Sequence, residues 1–285
     1  MSSLTPLTDA INALITRANS TTDASDTTLN NAVERLITGY GDINYTRLIE
    51  KNIGGDVVYQ GTEPKGAVFL HSKITSVSYP NVSDMHGASH NYAFAYCLNL
   101  ETLNFPKLET TKNTVGMFLG CDALTSVYFP KLEVAGSQMF ANCDLLKTGV
   151  FPSLKRTGNN MFMGCSSFET FDYGKTGSAN TFWIGDRIFN QADGLKTLIL
   201  RPSDQLVLLD DTLTWNISQM QQGEAGVDIY IPETLYNHLG DGSSLDYQSA
   251  NNWSTVYGYG TIIWKKIEGS IYETQYADGT PIPTT

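Results

Sequence analysis

The sequence predicts a β-dominated repeat solenoid preceded by a short α-helical module. Three observations lead to that class. The four cysteines, Cys97, Cys121, Cys143 and Cys165, stand 24, 22 and 22 residues apart. Six short segments recur at matching intervals: ITSVSYP from Ile74, LETLNFP from Leu100, LTSVYFP from Leu124, LKTGVFP from Leu146, FETFDYG from Phe168 and LKTLILRP from Leu195. A Phe-x-x-Cys turn precedes the second to fifth of them, at Phe94, Phe118, Phe140 and Phe162, and Phe189 with Ala192 holds the same places before the sixth. Units of 22–27 residues cannot enclose a core alone, so their apolar positions leave water only by stacking on the same positions of the next unit.

Taken in chain order, residues 1–41 form the helical module. Leu7, Ile11, Leu14, Ile15 and Ala18 share one helical face, and Leu29, Val33, Leu36 and Ile37 share another that ends at Gly39. Helices this short are unstable alone in water, so the module is expected to pack on something, as an attachment or oligomerisation element. Residues 42–64, with Gly54 and Gly55, read as a linker. The solenoid is expected over 65–205, opening with the KGAVFL segment (Lys65 to Leu70) as a capping strand. Each repeat alternates apolar and polar residues with period two, which places one short strand per unit. Val77/Tyr79, Leu103/Phe105, Val127/Phe129, Phe171/Tyr173 and Leu198/Leu200 face inward, with Gly149/Phe151 a weakened copy. Proline then ends the strand, since it has no N–H for a ladder partner. At ~4.8 Å between paired strands, six units stack to roughly 25–30 Å. Residues 206–269 read as a C-terminal cap: a strand at Val227, Ile229 and Ile231, a short helix from Glu233 to Leu239, and a strand from Thr261 to Trp264. Residues 270–285 read as a tail.

The composition narrows the partners. The 285 residues carry 18 Lys+Arg against 29 Asp+Glu, a net charge of −11, with 41% apolar residues. That apolar fraction suits a folded core, whereas the acidic balance lacks the basic stripe that phosphate-backbone binding requires. Nucleic acid and anionic membrane are therefore not expected partners. The start, MSSLTPLTDA, has neither a basic nor an apolar leader region, and no apolar run approaches a membrane span. Neither export by a cleaved signal nor membrane anchoring is expected.

The LxxVxFPxL segment with its MFxxC turn, over about Ile74 to Pro202, resembles the BspA-like branch of the leucine-rich-repeat family. The resemblance implies a solenoid whose members occur on bacterial surfaces, in some protists and in phage tail proteins, where they bind other molecules. The later units depart from the pattern, with Gly174 in the proline place and Ala192 in the cysteine place. The segment from Leu4 to Gly41 resembles leaders found before repeat or lectin-like domains in Firmicute prophage tail and virion proteins. The stretches VDIYIPETLYNHL, NNWSTV and KKIEGS resemble the terminal segment that follows such repeats in gut-bacterial and phage proteins.

Candidate chemistry is sparse. The cysteines form a ladder whose spacing would tolerate disulfides, but a small buried hydrophobe also suits the position, as Ala192 shows, and buried reduced thiols are expected. A linear ladder cannot converge four sulfurs on one metal. His86 and His90 are four apart, but in the glycine-containing loop MHGASHN. The chain has no GxSxG, phosphate-binding glycine loop or dinucleotide fingerprint. Glu101, Glu169 and Asp172, on or near the strands, are the carboxylates that a glycosidase reading would use. No catalytic residue, metal or cofactor is expected.

The outward strand positions are the informative ones. Their first column, Ser76, Thr102, Ser126, Thr148, Thr170 and Thr197, is hydroxyl throughout and suits a pleated sheet. The second, Ser78, Asn104, Tyr128, Val150, Asp172 and Ile199, differs in every unit. It reads either as a recognition surface for glycan hydroxyls or a protein, or as ordinary solvent-facing variation. Thr102, Asn104, Tyr128, Thr148, Thr170 and Asp172 are the candidate ligand contacts, with Trp183 as a sugar-stacking candidate outside the strands; Trp215 and Trp253 read as cap packing or stacking. The expected function is a non-enzymatic, tail-fibre-associated virion protein, assembled in the host cytoplasm, that binds a host-surface glycan or protein. Its helices would join other virion proteins or a homo-oligomer such as a trimer. The alternatives are a bacterial cell-surface adhesin of the same family and a glycan-degrading enzyme.

Overall fold

The computed structural model of the protein describes residues 54–62, 69–174, 185, 187–201, 227–233, 236 and 262–282. The expected N-terminal helices, Trp183, Trp215, Trp253 and most of the stretch 202–261 lie outside these residues. Within them the chain coils through parallel strands: β1 (Gly54–Val58), β2 (Lys73–Ser78), β3 (Thr102–Asn104), β4 (Ser126–Tyr128), β5 (Thr148–Phe151), β6 (Thr170–Tyr173), β7 (Thr197–Leu200), β8 (Val227–Ile231) and β9 (Ile262–Lys266). They form two parallel sheets, β1-β2-β3 and β4-β5-β6-β7-β8-β9. No helix among the described residues is long and apolar enough to cross a membrane.

The register aligns the repeats as the sequence predicts. Ser76 pairs with Thr102, and Ser126, Thr148, Thr170 and Thr197 follow one another across β4 to β7. Two further walls complete each coil. One is a line of parallel bridges, Asp84 to Thr110 to Val134 to Arg156, which runs past the break between β3 and β4 and makes the stack continuous. The other is built at the Phe-x-x-Cys turns. There Tyr92, Phe94 and Tyr96 donate their N–H groups to the carbonyls of Val115, Met117 and Leu119 in the next unit, and Gly116, Phe118 and Gly120 repeat the pattern onto Ser137, Met139 and Ala141. Left-handed backbone recurs on this wall in pairs four residues apart, Tyr92 with Tyr96, Gly116 with Gly120, Gln138 with Asn142, Asn160 with Gly164 and Arg187 with Gln191, and His71 takes it one unit earlier. That conformation costs about 1–2 kcal/mol per non-glycine residue, which the ladder must offset.

Inside, the phenylalanines stack one per unit. Phe69, Phe94, Phe118, Phe140 and Phe162 follow with ring centroids 5.6, 5.3, 5.5 and 5.7 Å apart and nearly parallel planes. Tyr79, Phe105, Phe129 and Phe151 make a second line at 5.3, 5.8 and 5.9 Å. The weak copy at Gly149 has a physical reason. A side chain there would meet the rings of Phe151, Phe162 and Phe168, and Phe168 is a ring where the other units carry Leu or Ile, stacked 4.3 Å from Phe162. One large residue fills the space that its neighbour leaves.

The four cysteines are unpaired and buried. Their role exceeds that of a small hydrophobe. Each Sγ donates to the phenylalanine carbonyl of the unit before it: Cys97 to Phe69 at 2.9 Å, Cys121 to Phe94 at 3.1 Å, Cys143 to Phe118 at 3.2 Å and Cys165 to Phe140 at 2.9 Å. Ser72 holds the same place one unit earlier, 3.3 Å from the Cys97 sulfur. Phe69 and Leu70 belong to a turn of this wall, so the described part of the KGAVFL segment is not a strand. The stretch expected as a linker contains β1, paired parallel to β2.

Backbone approaches backbone most closely at Gly158, where an added Cβ would lie 2.2 Å from the Gly136 carbonyl group. Gly158→Ala is expected to lower stability by about 1–3 kcal/mol in urea titration, because the backbone of the neighbouring coil must move. Burial pushes the Cys97 thiol up to about 11 and holds Cys121 and Cys143 well above the ordinary thiol range. Below ~8.5 both folded and unfolded chains keep these protons. As pH rises further the unfolded chain releases them first, so stability falls from there toward 11. Urea midpoints measured across that window are expected to drop, and to drop less steeply in Cys143→Ala.

Candidate recognition face

The outward columns divide the strand face into an open and a covered half. On β1 to β3 the outward side chains reach solvent, and apart from Val58 they are polar. Asp56 Oδ1 accepts from Ser76 Oγ at 2.7 Å and Thr75 Oγ1 at 3.2 Å, and Asn104 Nδ2 donates to Ser78 Oγ at 2.8 Å. At the edge of this patch Lys107 Nζ donates to Asn81 Oδ1 at 3.1 Å. Thr102 and Asn104 are exposed, and Tyr128, Thr148 and Thr170 are half-buried. These bonds pre-orient hydroxyls and amides without removing them from solvent, which is what a surface meeting hydroxyl-rich ligands needs.

On β5 to β7 the second column is buried. Val150 and Ile199 are fully covered, and Asp172 is 1% exposed. Asp172 therefore does not stand on the open face where the sequence reading put it. It forms a bidentate ion pair with Arg201, Nε to Oδ1 at 2.7 Å and Nη2 to Oδ2 at 2.8 Å. Arg201 is itself fully buried. Burial raises the Asp172 carboxyl above the usual carboxylate range, against the pull of Arg201 and of the Ala277 N–H.

The segment after β9 explains the cover. Arg201 Nη1 donates to the Tyr272 carbonyl at 2.6 Å and Nη2 to that of Gln275 at 3.2 Å. The Ala277 N–H donates to Asp172 Oδ2 at 2.8 Å. The Tyr276 ring lies between Tyr128, at 6.2 Å between centroids, and Arg201, whose guanidinium stands 5.0 Å from it. Tyr272 meets Tyr230 edge-on at 4.8 Å. Sequence reading missed Arg201 and the whole of this segment. The usable signal was an arginine directly after an otherwise apolar strand, LILR, which needs a partner if the position is buried.

The remaining candidates are placed without converging. His86 Nδ1 lies 2.7 Å from Asp84 Oδ1, and His90 Nδ1 lies 3.0 Å from the His86 carbonyl. Glu169 accepts from Lys196 Nζ at 3.0 Å, while Glu101 is exposed on the approach to β3. Among the described residues no group of three or more His, Cys, Asp or Glu could hold a metal ion.

The family model for the BspA type leucine rich repeat region matches in six copies, over residues 65–169 and 88–207, together half of the chain. A leucine-rich repeat protein of Bacteroides ovatus, known from a crystal structure, is similar at 16% identity over 70% of this chain and 68% of its own, with a TM-score of 0.34. No curated protein matches the sequence.

Proposed function

The chain belongs to the BspA-type leucine-rich repeat family, and from that premise we propose that it is a non-enzymatic virion protein, associated with a phage tail or tail fibre, whose solenoid face binds a host-surface glycan or protein. The observation that carries the binding reading is the open half of the strand face. Ser76, Ser78, Thr102, Asn104, Ser126 and Tyr128 stand in two columns along it, with the Ser76 hydroxyl held by Asp56 and the Asn104 amide by Ser78. A rigid sheet presenting ordered hydroxyls, an amide and an aromatic ring suits saccharide or polar protein surfaces, and its sequence variation from unit to unit suits a specific partner. Support for the virion comes from the resemblance of Leu4 to Gly41 to prophage tail leaders. The N-terminal module would then attach the solenoid to other virion proteins or join several copies of the chain.

Three measurements test this. Replacing Ser78, Asn104 and Tyr128 together by Ala is expected to weaken binding to host cells by about 10- to 100-fold, the sum of a few hydrogen bonds and a ring contact; unchanged binding removes this face. Mass spectrometry of purified phage particles is expected to find the chain, whereas its recovery only from bacterial envelopes transfers the same face to a cell-surface adhesin. Light scattering of the full chain is expected to give a multiple of the protomer mass, and a monomer mass sinks the oligomerisation role.

A further inference from the structure

The segment that follows β9 is a small structure of its own. Gln275 and Pro281 form an antiparallel bridge. Tyr276 donates its N–H to the Thr280 carbonyl at 2.8 Å, Gly279 to Tyr276 at 2.9 Å and Ile282 to Thr274 at 3.0 Å. These bonds do not involve the solenoid. Of residues 268–282, Tyr276 is the one buried side chain. The named polar contacts with the sheet face use backbone atoms of the segment, at Tyr272, Gln275 and Ala277. Gly269, at φ 78° with open space around it, stands where the segment leaves the sheet.

The groups beneath it are unusual for a permanent interior. A buried ion pair stabilises a fold no better than apolar packing of the same volume, and often less well. Asp172 and Arg201 satisfy each other through two hydrogen bonds, and both are compatible with water when uncovered. A face built this way tolerates being covered and being open. With the segment gone, Arg201 Nη1 and Nη2 have donors to offer, Asp172 Oδ2 has an acceptor site, and Tyr128 loses the ring it now meets. A sugar hydroxyl accepts from a guanidinium and donates to a carboxylate at the same time, and a pyranose face packs on a tyrosine ring. These groups lie on the second sheet and at the end of β7, next along the stack from the open face of β1 to β3.

We propose that residues 268–282 form a strap that opens as a unit and competes with a saccharide ligand for the β4 to β7 part of the recognition face. Closed, the strap ends the usable face near Tyr128. Open, it extends the face to the Asp172–Arg201 pair. The proposal rests on the reading of this face as a glycan-binding surface, and the test separates the two.

Hydrogen exchange and glycan binding are measured on the full chain, with an array of bacterial cell-wall glycans as the probe. Tyr276→Ala is expected to speed exchange at the Tyr276-region and Ala277 amides by about tenfold or more while the β4 to β7 amides stay protected, as for an independently opening unit. The same variant is expected to bind array glycans more tightly than the unaltered chain, and adding Arg201→Lys should cancel that gain. Ala277→Pro, which removes the N–H given to Asp172, should act in the same direction. Strap and strand amides that exchange together overturn the proposal, as does a strap that opens with no gain in glycan binding. Failure of the underlying reading shows elsewhere, as array binding by the unaltered chain that is absent or insensitive to Asn104→Ala.

Discussion

Every coil of this protein depends on the coil next to it. The repeat is too short to enclose anything, so burial, hydrogen bonding and register are all settled along the stack axis. The phenylalanine column shows the constraint most directly, with successive rings 5.3 to 5.7 Å apart from Phe69 to Phe162. That spacing is slightly wider than the ~4.8 Å between paired strands, which offset stacking of the rings accommodates. The thiols obey the same axis, since each cysteine reaches back to the phenylalanine carbonyl of the preceding unit. Because three walls carry the stack, the break between β3 and β4 costs only one of them: the Thr110 to Val134 bridge and the Phe94 to Phe118 contact both cross it.

A stack held this way has a problem at each end, where the last coil lacks the neighbour that would complete it. The first described coils meet it by continuing the pattern in altered form. Ser72 replaces the thiol by a hydroxyl, and β1 extends the sheet although only Val57 of its five residues is buried. Toward the other end Ala192 abandons the donor altogether, which is tolerable because Phe162 O, the carbonyl it would serve, already accepts the Cys165 N–H. Strands β8 and β9 then lengthen to five residues and carry the sheet on. The strap departs from the axis, crossing the strand face instead of adding to its edge.

Sequence periodicity made the axial features legible and left the lateral ones unread. The columns Ser76/Thr102 and Ser126 to Thr197 could be aligned because identical positions recur, and recurrence is what stacking requires. Strand β1 was invisible because Gly54, Gly55 and Asp56 are poor strand formers and no proline follows them. The first turn was hidden by a single change, Ser72 for Cys. Left-handed backbone at Tyr92, Tyr96 and Gln138 gives no local signal, since only the ladder on the adjacent coil demands it. Asp172 looked exposed because its cover arrives 105 residues later, from Ala277. No window of the sequence contains both.

Stacking also decides where specificity can reside. Inward positions are committed to the core, and the first outward column is committed to the hydroxyls that a pleated sheet favours. The second outward column is left to vary, and the chain answers part of that variation itself. Asp172 is matched by Arg201 and by the strap, and Val150 and Ile199 are buried beside it in register. At Asn104 the answer is partial: one amide bond to Ser78, with the side chain still exposed. A residue whose partners all lie within the chain contributes to folding, whereas one with spare donors at a rigid, solvated position is available to something else. On that criterion Asn104 is exposed and Ser78 partly exposed on a rigid strand face, which leaves polar groups available there, whereas the Asp172–Arg201 pair is committed to partners within the chain.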